Sequence, residues 1–328
     1  MPKRSLPGFL VRGFPGYALR FSKSVVKVAI GRKPYFYDQD RFFLAYLCHL
    51  LGLGQARITC RLDDCPTEGG GSQAITMMIV LDMARTLDLA YVHTPFIEIQ
   101  HADRPREAWL AAWEGLFNFG AGEVRADGVD RRVFAITAVN LDSIRSFFGE
   151  LHPRNEHDTH VMPQFSPAVV EEFRRKYHSN KSPRRNAKLI VGVHVRRFNA
   201  FDNNADYVAS FPRMVRTLAR VRSVLEGKGI DYAVRIFSQG AAAEFPDALR
   251  SGAELLLDAD PIRTLEELVE ADVLISSRGS FSYVAGLLCD GIVICEPFFP
   301  PQRDWLVCDD DGEIDTDALT ERLIASNF

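Results

Sequence analysis

Two adjacent arginines, Arg196 and Arg197, close an apolar run in the segment Val191 to Asn199, VGVHVRRFN. A guanidinium is permanently charged and presents a rigid fork of donors that matches phosphate oxygens. Hydrogen bonds of this charged kind contribute on the order of 1.5–3 kcal/mol each. Such a pair suits a diphosphate, both holding it and stabilising its charge as it departs. His194 stands two residues before Arg196, and alternation along a strand puts both side chains on one face. A strand-end ion pair with a core histidine is the plainer reading of the same residues.

Two glycine- and serine-rich turns add anion-binding capacity. In Glu68 to Gln73, EGGGSQ, the glycines Gly70 and Gly71 let backbone N–H groups approach an anion at the start of a helix. A tight turn is the alternative there. No Lys-Ser/Thr follows, so this is not a P-loop, and no dinucleotide fingerprint follows a strand. In Ala271 to Leu288, ADVLISSRGSFSYVAGLL, a strand runs through a small-residue turn into a helix that begins near Ser280 or Phe281. Its free N–H groups and the hydroxyls of Ser280 and Ser282 are suited to phosphate oxygens, and a serine N-cap is compatible with that role. For a general base, Asp202 and Asp206 are the carboxylates nearest the arginine pair. Asp206 is preferred, standing before the next helix, where a simple N-cap is its competing role. His93, in YVHTPF, is a second candidate, with a core or capping histidine as its alternative. His152, His157 and His160 fit no standard metal-ligand spacing. Asp309-Asp310-Asp311-Gly312 fails as an EF-hand loop, because Val307 and Ala318 fall where acids are needed; it reads as an acidic turn whose charges suit the basic arm described below.

The elements that must position these residues alternate. The pattern predicts a helix from Asp40 to Gly54, a strand from Ala56 to Leu62, a turn to Gly71, a helix from Gln73 to Leu87 and a strand from Leu89 to His93. Val133 to Val139 reads as a strand and Ser166 to Tyr177 as a helix. After a polar linker, His178 to Lys188, the alternation restarts. Strands are expected at Leu189–Val195, Tyr232–Phe237, Ala253–Leu257, Val273–Ser276 and Gly291–Glu296. Helices are expected at Tyr207–Glu226, Ala241–Ser251, Thr264–Glu270 and Ser280–Leu288, with a last one from Asp315. Continuously apolar strands alternating with helices imply an α/β fold whose parallel sheets are covered on both faces. Two Rossmann-like domains are expected, at residues 40–180 and 181–328, with ligand bound in a cleft at the strands' carboxyl ends.

Composition narrows the function class. The chain has 328 residues, 47% hydrophobic and 25% charged, as in an ordinary globular protein. A net charge of −4 speaks against a nucleic-acid binder. The six cysteines form no CxxC pair and read as reduced, mostly buried thiols of a cytoplasmic protein. No apolar run of about 18 residues exists to span a bilayer. Residues 1–39 form a basic arm: Lys3, Arg4, Arg12, Arg20, Lys23, Lys27, Arg32 and Lys33 interleave with apolar side chains, and no acid precedes Asp38. An arm packed on the body is the first expectation for residues 1–33, and peripheral contact with the inner membrane surface is the second.

Taken in order, the three motif segments resemble the donor-site motifs of the superfamily of α1,2-, α1,6- and protein O-fucosyltransferases. His194-Val195-Arg196-Arg197 matches its H-x-R-R core, and Gly71-Ser72-Gln73 resembles the G-N-Q end of its amino-terminal motif. Ile236-Phe237-Ser238 resembles its I-F-S/T-D strand end, and Ser280-Phe281-Ser282 resembles its S-S-F-S element. The resemblance implies a GT-B-like fold, a nucleotide-sugar donor that is GDP-fucose, a glycan hydroxyl as acceptor, inversion at the anomeric carbon, and neither cofactor nor metal. It makes Arg196 the donor-phosphate ligand. Gly70, Gly71, Gln73, His194, Arg197, Ser238, Ser280, Phe281 and Ser282 would line the nucleotide-sugar site. The chain departs from the pattern at Glu68, Ser72 and Gln239, and Phe198-Asn199 stand where an acid often follows the arginines. That missing acid favours a second reading, a non-catalytic glycan or nucleotide-sugar binding protein; an NAD-dependent oxidoreductase is the third.

Overall fold

The computed structural model describes residues 38–62, 69–125, 133–137, 141, 164–182, 188–197 and 208–326. The chain divides into two compact units. One comprises residues 1–67, 76–98 and 122–163, the other residues 68–75, 99–121 and 164–328. These bounds differ from the linear division expected at residue 180. The second unit recruits two earlier helices, α3 (Arg106–Phe117) and α4 (Pro167–His178), because their apolar faces bury against helices of that unit. Trp109, Trp113, Phe117, Phe119 and Phe173 form a continuous aromatic stack there, with ring centroids 5.1–6.0 Å apart. Helix α3 was not expected from the sequence. Two tryptophans at i and i+4 place one broad apolar face on the unit.

The first unit carries helix α1 (Asp38–Leu50) and a four-stranded sheet of β1 (Arg57–Arg61), β2 (Ala90–His93), β3 (Val124–Arg125) and β4 (Val133–Thr137). All pairings are parallel and the spatial order is β3-β2-β1-β4. Phe42 of α1 meets Phe134 of β4 edge-on, at 5.1 Å between centroids. Helix α2 (Gly70–Thr86) starts three residues earlier than its apolar pattern suggests, so the glycines are its first turn.

The second unit is a six-stranded parallel sheet between two helical layers. Its strands are β5 (Leu189–His194), β6 (Tyr232–Ser238), β7 (Ala253–Leu257), β8 (Val273–Ser276), β9 (Ile292–Cys295) and the short β10 (Leu306–Val307). Leu189, Val191, Val193 and Val195 point to one face, into a core with Met214, Leu218, Val221 and Leu225 of α5 (Phe211–Gly227). Leu319 and Leu323 of the last helix in the described residues, Thr316–Ala325, close that layer. Each such buried aliphatic side chain contributes about 1.5–3 kcal/mol. Gly192 lies on the opposite face, where an added Cβ would meet the Ala271 Cβ at 2.9 Å and Leu268 at 3.8 Å. Leu268 belongs to a helix, Pro261–Val269, that packs on helix Ser280–Leu288.

Strand lengths and helix ends follow local chemistry. Ser210 caps α5 through its side chain and Pro212 occupies the first turn, so the helix starts at Phe211, not at Tyr207. Between Ala241 and Ser251 the expected single helix is split: Pro246 interrupts it, leaving one 3-10 turn and the single-turn helix Asp247–Arg250. The acidic turn is as expected, with Gly312 at φ 84° and the Asp309 carboxylate accepting from Asp311 and Glu313 N–H. Its charges pair with arginines of α5, Arg213 to Asp310, Arg216 to Asp311 and Arg220 to Glu313. These pairs lie within the second unit, so partners for the turn are present without the basic arm.

Candidate functional site

Counting β5 as first in its unit, the sheet order β10-β9-β8-β5-β6-β7 reads 6-5-4-1-2-3, the doubly wound order. The order reverses between β5 and β8. Crossovers on its two sides run to opposite faces, which leaves a crevice at the carboxyl ends of these two strands. Register pairs Val193 with Ile275, so the residues that emerge there are His194 to Arg197 on one side and Ser276 to Gly279 on the other. Two of the three motif segments thus meet at the switch point.

Arg196 is fixed through its backbone. Its N–H donates to Ser277 Oγ at 3.0 Å, and its carbonyl accepts from Ala209 N–H at 3.0 Å. Ser238, at the end of the neighbouring β6, donates its hydroxyl to the Val195 carbonyl at 2.7 Å. The Arg196 side chain remains partly exposed. His194 turns to the same face, its Nδ1 3.1 Å from Ser277 Oγ and also hydrogen-bonded to Ser282 Oγ. Its ring lies 5.4 Å from that of Phe281. His194 is half-buried, and desolvation, helped by the Arg196 charge, pushes the imidazole down to about 3. The ring is therefore neutral throughout the physiological range.

The helix that follows β8, α8 (Ser280–Leu288), opens directly onto this point. Gly279 is its N-cap at φ 115°, ψ 156°, a conformation essentially confined to glycine. The N-cap supplies no side-chain acceptor, which leaves the first-turn N–H groups of α8 for another partner. The third segment arrives here too. An added Cβ on Gly71 would lie 2.9 Å from both Cα and N of Phe281, and one on Gly70 would lie 2.6 Å from the Trp113 ring. Helices α2 and α8 thus abut amino end to amino end. Each such end carries roughly half a positive charge from its macrodipole. Two of them in contact repel one another, and a bound anion offsets that repulsion.

Other predicted residues are placed differently. Arg197 is turned into a protein pocket, with Nη2 2.5 Å from Glu244 and its guanidinium 5.2 Å and 5.4 Å from the Phe211 and Phe245 ring centroids. The Glu244 carboxyl is held below its usual range, first by the Ala241 N–H and then by the charge of Arg197. Ser282 is fully buried against His194, whereas Ser280 and Phe281 remain partly exposed at the helix start. Gln73 is fully buried one turn into α2. His93 is fully buried at the end of β2, in the core position that was the alternative to a base. Asp202 and Asp206, like His152, His157 and His160, lie outside the described residues; Ser210 takes the N-cap role considered for Asp206.

Two residues that sequence reasoning passed over belong to this end of the sheet. Ser277 touches Arg196, His194 and Ser282 at once. Glu296, just past β9, is 4% exposed and accepts from Arg213 at 2.6 Å and from Arg278 at 3.0 Å. Arg278 sits in the turn before α8 with its guanidinium 5.2 Å from the Phe298 ring centroid. Glu244 and Glu296 are thus each paired with arginine. No group of three or more His, Cys, Asp or Glu suited to a metal occurs among the described residues. Cys289 and Cys295 are reduced, buried and pushed up to about 12 by desolvation, so they offer no reactive thiolate. A separate cavity of about 1010 Å³ lies at the opposite end of this sheet, by Lys188, Asp231, Asp272 and Gly291. Lys188 and Asp231 pair there at 3.2 Å, and His194, Arg196, Gly71 and Phe281 are not among its lining residues.

No protein-family model matches the chain, and no curated protein matches it. Among solved structures it is similar to POFUT1 in complex with GDP, at 15% identity over 72% of this chain and 95% of that one, with a TM-score of 0.36. It is similar to E. coli heptosyltransferase WaaC with ADP, at 12% identity over 83% and 98% and a TM-score of 0.35. It is also similar to a UDP-forming α,α-trehalose-phosphate synthase from Burkholderia xenovorans, at 11% identity over 95% and 78% and a TM-score of 0.31. At these TM-scores the likeness carries no argument, and the residues themselves must.

Proposed function

We propose that this chain is a glycosyltransferase whose second unit binds a nucleoside-diphosphate sugar at the β5–β8 switch point. The observation that carries this reading is the meeting of two helix amino ends, α2 at Gly71 and α8 at Phe281, beside the backbone-anchored Arg196. An anion is the ligand that such a junction attracts. A diphosphate spans it, taking N–H groups from α8 and the Arg196 guanidinium. The order of the H-x-R-R, I-F-S and S-F-S segments supports GDP-fucose as the donor and a glycan hydroxyl as the acceptor.

In the reaction, the acceptor oxygen bonds to the anomeric carbon from the face opposite the diphosphate, and the carbon–oxygen bond to GDP breaks. Inversion follows from that geometry. The acceptor's proton passes to a carboxylate, for which Asp206 remains the proposal. The electron pair leaves on the diphosphate, where Arg196 and the helix ends stabilise it. His194, neutral beside Arg196, orients rather than titrates. For residues 1–33 of a cytoplasmic protein, an arm packed on the body is the first reading and peripheral contact with an anionic membrane surface the second.

Calorimetry of the purified chain against GDP-, UDP-, CMP- and dTDP-sugars tests donor class, with heat expected for the GDP-sugar. Arg196→Ala is expected to remove that heat while its melting transition stays within the wild-type range. Unchanged binding in that variant would discredit the site. One specific observation favours a non-catalytic nucleotide-sugar binder, namely that Arg197 is held by Glu244 and two rings. Release of GDP on mixing the chain with GDP-fucose and a glycan array separates the two readings.

A further inference from the structure

Four polar groups form a connected line behind the crevice: Arg196 N–H, Ser277 Oγ, Ser282 Oγ and His194 Nδ1. The direction of its protons can be worked out. Ser277 Oγ accepts the Arg196 amide at 3.0 Å, so its own proton must go elsewhere. The other polar atoms on it are His194 Nδ1 at 3.1 Å and Ser282 Oγ at 3.4 Å. Ser277 is 6% exposed. Were Nδ1 protonated, it would donate to Ser282, Ser282 would donate to Ser277, and the Ser277 proton would have no described acceptor. The opposite direction satisfies every member. Ser277 donates to Ser282 Oγ, Ser282 donates to Nδ1, and the ring proton sits on Nε2. His194 is partly exposed, and its Nε2 makes no hydrogen bond to any described residue.

We infer that Ser277 is a positioning residue that fixes His194 as the Nε2–H tautomer, so that a neutral N–H donor faces the bound diphosphate. The part about the ligand rests on the proposed nucleotide-sugar site; the tautomer does not. Three features of the arrangement recommend it for an anion. An Nε2 lone pair would repel phosphate oxygens, whereas Nε2–H donates to them. The Arg196 amide starts the line, so the strand end that carries the guanidinium also sets the imidazole. Ser282, in the first turn of α8, ties both to the helix end that carries the free N–H groups.

The test uses the full chain labelled with 15N-histidine at pH 7, with the His194 signals assigned by their loss in His194→Asn. Two-bond 1H–15N correlation distinguishes the tautomers without ligand, and the Nε2–H pattern is expected for wild type. In Ser277→Ala the line loses its first donor, and a mixture of the two tautomers is expected, while Ser277→Thr keeps the hydroxyl and returns the wild-type pattern. GDP affinity is expected to fall about tenfold in Ser277→Ala, the loss of one well-placed donor to a charged group. An Nδ1–H pattern in wild type overturns the inference, and this measurement stands even where a variant folds poorly. A tautomer that ignores Ser277→Ala in a folded protein overturns it as well. Absence of GDP binding to wild type with the Nε2–H pattern intact refutes the diphosphate site while upholding Ser277 as the residue that sets the ring.

Discussion

Adding one methyl group at Gly71 probes the junction on which the functional reading turns. The new Cβ would lie 2.9 Å from Cα and N of Phe281 and 3.2 Å from the Ser280 carbonyl carbon. Ordinary van der Waals contact begins near 3.4 Å, so one helix must retreat by about 0.5 Å. All three atoms are backbone, which has no rotamer to change. Over-packing of this kind costs about 1–3 kcal/mol, partly offset by up to about 1 kcal/mol of helix propensity gained by alanine over glycine. Gly71→Ala should therefore lose about 1–2 kcal/mol in urea denaturation. It should also lose GDP affinity by tenfold or more, because the retreat moves the N–H groups that face the anion. Gly69→Ala is the internal control: it lies in the same glycine run, and its added Cβ meets nothing within 4 Å. Its stability should stay within about 0.5 kcal/mol of wild type and its affinity unchanged. If the two variants behave alike in both assays, the abutting helix ends are not the binding seat.

Three further outcomes are expected. Glu296→Ala leaves Arg213, 8% exposed, with only the exposed Asp310 as a carboxylate partner, and urea denaturation should show a loss of about 1–3 kcal/mol. A loss under 1 kcal/mol would mean that water already screens the pair. The unfolded chain protonates His194 below about pH 6.5 but the folded chain, at about 3, does not, so its contribution to stability is full above pH 6.5 and falls as the medium is acidified. At pH 5 that loss is about 2 kcal/mol, read as the difference between wild-type and His194→Asn stability curves; a flat difference between pH 7 and 5 refutes the desolvated ring. Gly115→Ala, on the exposed face of α3 with open space around the new Cβ, should raise stability by about 0.5–1 kcal/mol in the same assay.

The sequence alone determined what local chemistry controls. The strands Ala253–Leu257 and Val273–Ser276 and the helix Ser280–Leu288 have the bounds expected from their apolar runs and flanking small residues. The shared face of His194 and Arg196 follows from strand alternation, and the core residues Val193 and Val195 confirm it. What it could not determine is anything that depends on residues far apart in the chain. Strand order sets the switch point, and order arises from how the helices choose faces of the sheet, not from any one segment. Arg196 and Arg197 are the same residue type side by side, yet only the tertiary structure seats the second against Glu244, Phe211 and Phe245. Ser277 looked like turn filler until Arg196, 81 positions away, was found donating to it. Gly71 reads as flexibility in the sequence, and only the approach of Phe281 shows that its missing side chain is a matter of space.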